Sequence, residues 1–442
     1  MIWKVEEQPV VDFRPFRALR FNTTQTEELG NLICPPYDVI SKEDQSYFYS
    51  LSRHNAVRLE LPIIEKNPLE EEYTSVKTKL NQWLRNNVIA RDANNSFYIT
   101  RHQFSHNGKS HSRYGITGCI RLGGSAQSRV ITHEHTAPKP RQDRLVHVQY
   151  SQSNISPIMG LYRDNDATLN NFMLQMSQTT PSSQAKLPNN EEIVVWKTDK
   201  PEDLSLIQSC LQTRKVHLAD GHHRYDAMLQ YQRLTHETQT QPNLDEASNF
   251  IMITLIPFND PGLLLLHYHR ILKSVPPQIQ KQIDQNIQNN FQTISVVPLD
   301  PDSQYNAVKT INQLLSSTNQ DSIVQIREMK ATLLVPNNSQ VNNEFPPDQT
   351  NQVVTTTLSW ILTECVLKPA LKSRYDATMG YEHEIGSLVN GIFNQSADIG
   401  FVMKPISLDT FEKLHQATLI LPPKSTFFHP KLPAGLTMRE LL

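Results

Sequence analysis

KVHLADGHHRYDAML, residues 215–229, is the stretch on which the reading of this chain turns. Residues 215–219 read as a short strand, Asp220-Gly221 ends it, and Ala227, Met228, Tyr231 and Leu234 then recur at helical spacing. A strand that runs through Asp-Gly into a helix is suited to an anion. The first amides of a helix have no acceptor within it, carry the positive end of its dipole and can receive a phosphate. Gly221 lets the backbone approach closely. His222, His223 and Arg224 add donors, and arginine can grip phosphate with two hydrogen bonds. Cations at this end of a helix oppose the dipole, so packing gives no reason for them. Asp220 has three readings: helix N-cap, Mg2+ ligand, or acceptor of a hydroxyl proton.

Outward from the turn the pattern is mixed α/β. Upstream, residues 193–198 predict a strand, 201–213 a polar helix and 173–192 a surface loop. Downstream, residues 250–257 and 263–271 predict strands. Nearer the start, 55–61 (NAVRLEL) alternate as a strand would. Residues 70–86 predict a helix with Tyr73, Val76, Leu80, Trp83 and Leu84 on one face. Strands are expected at 96–101 and 114–122. The Gln- and Asn-rich stretch 274–350 carries a helix near 303–316 and a strand near 322–335. The pattern restarts with a helix at 356–371, a strand at 399–403 and a helix at 408–417. No solenoid repeat is visible. The organisation expected is an N-terminal α/β part (1–172), a part carrying the turn and packed on it (193–273), and a C-terminal α/β region (274–442).

The bulk numbers narrow the class. A chain of 442 residues has room for two or three domains. Its formal charge is −2, with no Lys/Arg run, which argues against a nucleic-acid partner. Cys34, Cys119, Cys210 and Cys365 stand far apart without a CxxC pair, so free thiols in a reducing compartment are expected. No apolar stretch suits a signal peptide or a membrane span. The expected setting is the cytoplasm.

Other constellations carry chemistry. Pro35-Pro36-Tyr37-Asp38 is a rigid approach that can present the Asp38 carboxylate to a metal or substrate, or is a tight turn whose Asp38 caps the helix starting near Ser41. His133-Glu134-His135, followed by Lys139, Arg141 and Arg144, sets cations around one carboxylate, as phosphoryl transfer requires. Zinc there lacks a third ligand at close spacing. Glu60 is a weaker candidate base than Asp38. Lys424, beside Ser425 and Thr426, could reach a phosphate, although no glycine-rich loop precedes it. His267 and His269 read as satisfied sheet residues.

These blocks also resemble a known family. LADGHHRYDAML looks like the signature turn of the DUF1015 family. Further blocks agree in order: FRPFRALR (13–20), ICPPYDVIS (33–41), NAVRLELP (55–62), HEHTAPKPRQDRL (133–145), SNISPIMGLY (153–162) and KSTFFHPKLPAGL (424–436). His135 stands where the family pattern has arginine. The resemblance implies a ParB/sulfiredoxin-like nucleotide-binding core with additional α/β regions. In relatives of that fold the turn grips nucleotide phosphates, and some relatives are kinases of free serine. By that analogy the cofactors are ATP or ADP with Mg2+, and the substrate is a small hydroxyl metabolite such as L-serine. The phosphate contacts would be Gly221, His222, His223, Arg224, His133, Arg144 and Lys424. The catalytic carboxylates would be Asp38, Glu134 and Asp220, with Asp38 and Asp220 on the metal. A homo-oligomer is compatible with this picture. The alternative is a non-catalytic nucleotide switch of the ParB type. Sulfinic-acid reduction is argued against, because the turn holds no cysteine.

Overall fold

The computed structural model describes residues 11–23, 27–63, 69–106, 108–123, 130–132, 136–241, 243–337, 352–416, 421–422 and 424–441. Contacts divide the chain into two compact units. The first holds the residues up to Thr132, Thr136–Leu264 and Pro430–Leu442; the second is Leu265–His429.

The strands of the first unit are β1 (Phe13–Arg14), β2 (Leu19–Phe21), β3 (Ile89–Arg91), β4 (Phe97–His106), β5 (Lys109–Arg121), β6 (Val130–Ile131), β7 (Ser153–Asn154), β8 (Ile158–Tyr162), β9 (Ser183–Lys186), β10 (Glu192–Thr198), β11 (Val216–Asp220) and β12 (Phe250–Pro257). Its helices are α1 (Leu29–Leu32), α2 (Lys42–Leu51), α3 (Val57–Glu60), α4 (Leu69–Arg85), α5 (Pro138–Ser151), α6 (Thr168–Met176), α7 (Pro201–Gln212) and α8 (His222–Glu237). The main sheet runs β6-β11-β8-β12-β5-β4-β10-β9, with β1 also on β5. Only the β6–β11 and β8–β12 pairings in it are parallel.

Side chains alternate across a strand, and here each side meets its own core. Phe250 and Met252 join Tyr98, Cys119, Ile193 and Val195 in one cluster. Ile251, Ile253 and Leu255 join Phe97, Ile99, Ile116, Ile120 and Val194 in another. Strands covered on both sides need continuous apolar runs. Accordingly β8, β11 and β12 are buried at every position. This rigid centre carries Asp220 at the end of β11.

Two expectations for this unit fail. Residues 55–61 form helix α3 rather than a strand. Asn55 accepts a hydrogen bond from the Val57 amide (2.9 Å) and donates to the Asn31 and Ile33 carbonyls (2.8 and 3.2 Å). That turn chemistry starts a helix. The loop expected over 173–192 contains the end of α6 and the whole of β9. β9 is an edge strand with only Ala185 buried, so it lacks an apolar alternation to read.

The second unit is built on an antiparallel sheet in the order Phe291–Pro298, Lys330–Pro336, Ile323–Arg327, Ile399–Met403, His269–Leu272, Met379–Glu382. Cores lie on both of its faces. The strand expected over 322–335 is a hairpin. Its turn residues Glu328 and Met329 have φ of 49° and 57°, the sign a tight hairpin turn requires. The strand expected over 263–271 breaks into Leu264–Leu266 and His269–Leu272. The helix expected over 356–371 includes a π-helical stretch, Ile361–Leu367. Among the described residues no helix is long and apolar enough to cross a membrane.

Candidate functional site

The strand–turn–helix is as the sequence predicts. β11 ends at Asp220, and Gly221 is the helix N-cap with φ of 91°, in the left-handed region. A Cβ on Gly221 would stand 2.5 Å from Ile158 Cγ2, so glycine is needed here for both conformation and space. The Tyr225 amide donates to the Gly221 carbonyl (2.9 Å), which starts α8. The N-cap reading of Asp220 is therefore not met, since Gly221 takes that place and no side chain caps the helix.

Asp220 is nearly buried, and both its carboxylate oxygens are engaged. Oδ2 accepts from Arg224 Nη2 at 2.9 Å, and Oδ1 accepts from Lys431 Nζ. Arg224 also donates from Nη1 to Ser156 Oγ (2.8 Å) and to the Pro157 carbonyl (2.9 Å). Its side chain is only 11% exposed, which makes it an inward-facing brace rather than an open phosphate contact. Burial alone would pull its pKa down; Asp220, Asp38, Glu60 and Tyr37 raise it above the ordinary value.

The bonds continue through Ser156. Its hydroxyl donates to Glu60 Oε1 at 2.9 Å, and the same oxygen accepts from the Tyr37 amide at 3.2 Å. Glu60 is 2% exposed and sits on α3, so the helix that replaced the expected strand is what aims it. Arg144, on α5, donates to the Glu60 carbonyl (3.1 Å) and to Tyr73 Oη (2.9 Å), and it lies 4.1 Å over the Tyr37 ring. It too is buried. Its pKa would fall with burial, but Tyr73, Asp143, Tyr37 and Glu60 hold it above the ordinary range. Beside it His147 is pushed down to about 3 by burial and by the Arg144 charge.

Asp38 lies in the short turn Tyr37–Val39. Ser41, not Asp38, caps α2, through a reciprocal pair with Asp44 (3.0 Å each way). The capping role the sequence allowed Asp38 is thus taken. Its Oδ1 is buried and has no donor among the described residues, and its charge reaches Arg224. A buried carboxylate oxygen without a donor is costly and marks a place where a ligand group can bond.

The structure thus brings together Asp38, Asp220, Gly221, Arg224 and Arg144 in one unit. His222 is buried there as well. His223 Nε2 accepts from the Ala137 amide at 3.1 Å, which places any ring proton on Nδ1. His133, Glu134 and His135 lie outside the described residues. Lys424 belongs to the second unit, where its Nζ lies 4.8 Å over the Tyr268 ring and its carbonyl accepts from Arg270 (3.0 Å). Sequence reading missed Ser156 and Lys431. Lys431 stands in the block that drew attention to Lys424, between Pro430 and Pro433, which favour an extended chain there.

Fold and site together define a mixed α/β protein with a buried, charged strand–turn–helix site. The pattern of one family, described as "Protein of unknown function (DUF1015)", matches residues 13–358, and the chain belongs to that family. No curated protein matches the sequence. Solved structures show weak likeness. A conserved hypothetical protein from Pyrococcus furiosus is 11% identical, with a TM-score of 0.36 over 69% of this chain and 90% of that one. A free serine kinase in complex with AMP is 9% identical, with a TM-score of 0.35 over 71% and 88%. SbnI from Staphylococcus aureus, truncated at its C-terminus, is 9% identical, with a TM-score of 0.35 over 69% and 81%.

Proposed function

We propose that the first unit binds the phosphates of ATP or ADP at the turn 221–224 and transfers a phosphoryl group to the hydroxyl of a small metabolite. Free L-serine, giving O-phosphoserine, is the acceptor by analogy. The observation that carries the reading is the buried Asp38 oxygen without a donor, set beside the Asp220–Arg224 pair. Asp38 takes the hydroxyl proton as the hydroxyl oxygen bonds to the terminal phosphorus. The bond from that phosphorus to its bridging oxygen breaks, and the leaving nucleotide keeps the electron pair. Arg224 and Arg144 do not touch the phosphate; they hold Asp220, Ser156 and Glu60 in place around the reacting groups. Lys431 is the cation that can turn from Asp220 to the phosphates.

Mg2+ fits one of its two expected ligands. This ion is commonly held by one or two carboxylates together with substrate phosphates, so the absence of a three-residue metal cluster among the described residues is compatible with it. Asp38 has an oxygen to offer, whereas Asp220 would first have to release a cation. When bound, Mg2+ would offset phosphate charge. The setting would be the cytoplasm.

One feature favours the second reading, a nucleotide-gated switch without transfer. Both Asp220 oxygens are already paired, so a nucleotide that attracts Lys431 would undo a buried contact and free the segment carrying it. The test incubates the protein with ATP or ADP, Mg2+ and a pool of small hydroxy metabolites, and reads products by mass spectrometry. A phosphorylated product absent with Asp38→Asn supports transfer. Nucleotide binding without product supports the switch, and no nucleotide binding defeats both.

A further inference from the structure

Behind the Arg224 brace the first unit holds a cavity of about 40 Å3. Its walls come from α3, α5, α8, β12 and the segment 153–156. Apart from Arg224, every residue that lines it is buried, and the Arg224 side chain is itself only 11% exposed. The lining is mixed. Met228 and Ile251 are among its apolar side chains, and Glu60, Ser153, Ser156 and Arg224 among its polar ones.

Two polar atoms of this lining are left over once the hydrogen bonds are assigned. Arg224 uses Nη1 for Ser156 and the Pro157 carbonyl and Nη2 for Asp220. Its Nε is buried and meets no acceptor among the described residues. Ser153 Oγ is buried as well and has no partner among them. A buried donor or hydroxyl left unbonded is costly. The charges around the cavity ask for nothing further: Glu60 Oε1 accepts from Ser156 and the Tyr37 amide, and Arg144 donates to the Glu60 carbonyl and to Tyr73. The occupant that fits is therefore neutral, small, and able both to accept and to donate. A buried water needs roughly 10–15 Å3 and a few polar partners, so the space suits about three of them.

We propose that this cavity is an internal hydration site, in which about three waters accept from Arg224 Nε and bond Ser153 Oγ. The chain of bonds that starts at Asp220 then runs through Arg224 and water to β7, whose Ser153 and Asn154 pair with Glu440 and Arg439. Water fixes the last free face of the guanidinium and joins the turn to the C-terminal strand. The inference stands on the cavity and its two atoms, whatever the turn binds.

Two measurements on the full chain test it. Electron density at a resolution that shows ordered water should hold peaks within hydrogen-bond reach of Arg224 Nε and Ser153 Oγ. Xenon under pressure should not enter, because dry apolar cavities are the ones that take it. Ser153→Ala then reads the same point by its sign. With water bound, the change removes a bond and lowers the urea midpoint at unchanged slope. In a dry cavity it removes an unsatisfied hydroxyl and raises the midpoint. Should the variant not fold, density and xenon on the unaltered chain decide. A cavity without such density, one that takes xenon, or a midpoint that stays or rises would overturn the proposal.

Discussion

Lys431 and Asp220 stand 211 positions apart in the chain and meet as a buried ion pair at the end of β11. Arg224 holds the other oxygen of the same carboxylate. Lys431→Ala removes one of the two cations and leaves Arg224 to compensate, so the expected loss is about 1–3 kcal/mol rather than that of a bare buried charge. Urea unfolding measures it. Asp220→Asn in the Lys431→Ala background should cost less than the sum of the single changes, because the two groups are in contact.

Arg224→Ala should act mainly on stability. The guanidinium bonds Asp220, Ser156 and the Pro157 carbonyl, so truncation leaves three buried acceptors short and should cost about 3–5 kcal/mol. The sequence alone pointed to Arg224 as a phosphate contact. A melting temperature unchanged by Arg224→Ala would restore that first reading.

Asp38→Asn should leave stability within about 1 kcal/mol, because the carboxylate oxygen it replaces has no donor to lose. Phosphoryl transfer should vanish while nucleotide binding persists. Product analysis and a binding titration on the same preparation read the two separately. Retained transfer would assign the proton to another group.

Acid should weaken both units. His147 in the first unit, and His267 and His269 in the second, are pushed down to about 3, chiefly by burial and then by a neighbouring arginine. Between pH 6.5 and 3 the unfolded chain binds protons that the folded chain refuses, so stability is full above 6.5 and falls as pH drops through that window. At pH 5 each such histidine costs about 2 kcal/mol. Asp260 works in the opposite direction: burial raises it to about 6, so between about pH 4 and 6 it favours the folded state as pH falls. Urea unfolding of the first unit at pH 7 and pH 5 should show a net loss, made larger by Asp260→Asn. A gain at pH 5 would mean that His147 is not buried in its neutral form.

Much of the frame was readable because its signals are local. The turn at Asp220, the strand at 250–257 and the strand at 399–403 each carry their periodicity within a few residues. The errors came where a distant or non-periodic contact decides. Asn55 turned an alternating stretch into a helix by bonding the Asn31 and Ile33 carbonyls. β9 forms because β10 offers it a ladder, not because its own side chains ask for one. Within the site, residue type suggested Asp38, Arg144, Asp220 and Arg224, but burial, which no single sequence displays, makes the two arginines braces. Ser156 and Lys431 lie in blocks the sequence singled out, but only the closed fold shows what they touch.

The return of residues 430–441 to the first unit, past the whole second unit, sets an order in time. Arg439–Glu440 pairs with Ser153–Asn154, and Lys431 reaches Asp220, only after everything between has been made. At ~5–20 residues per second, a ribosome needs roughly ten to forty seconds to travel from one partner to the other. During that interval the carboxylate at the end of β11 lacks one of its two cations. A nascent chain stalled anywhere in the second unit would therefore present an unfinished first unit, a form that a chaperone or protease can tell apart from the completed protein.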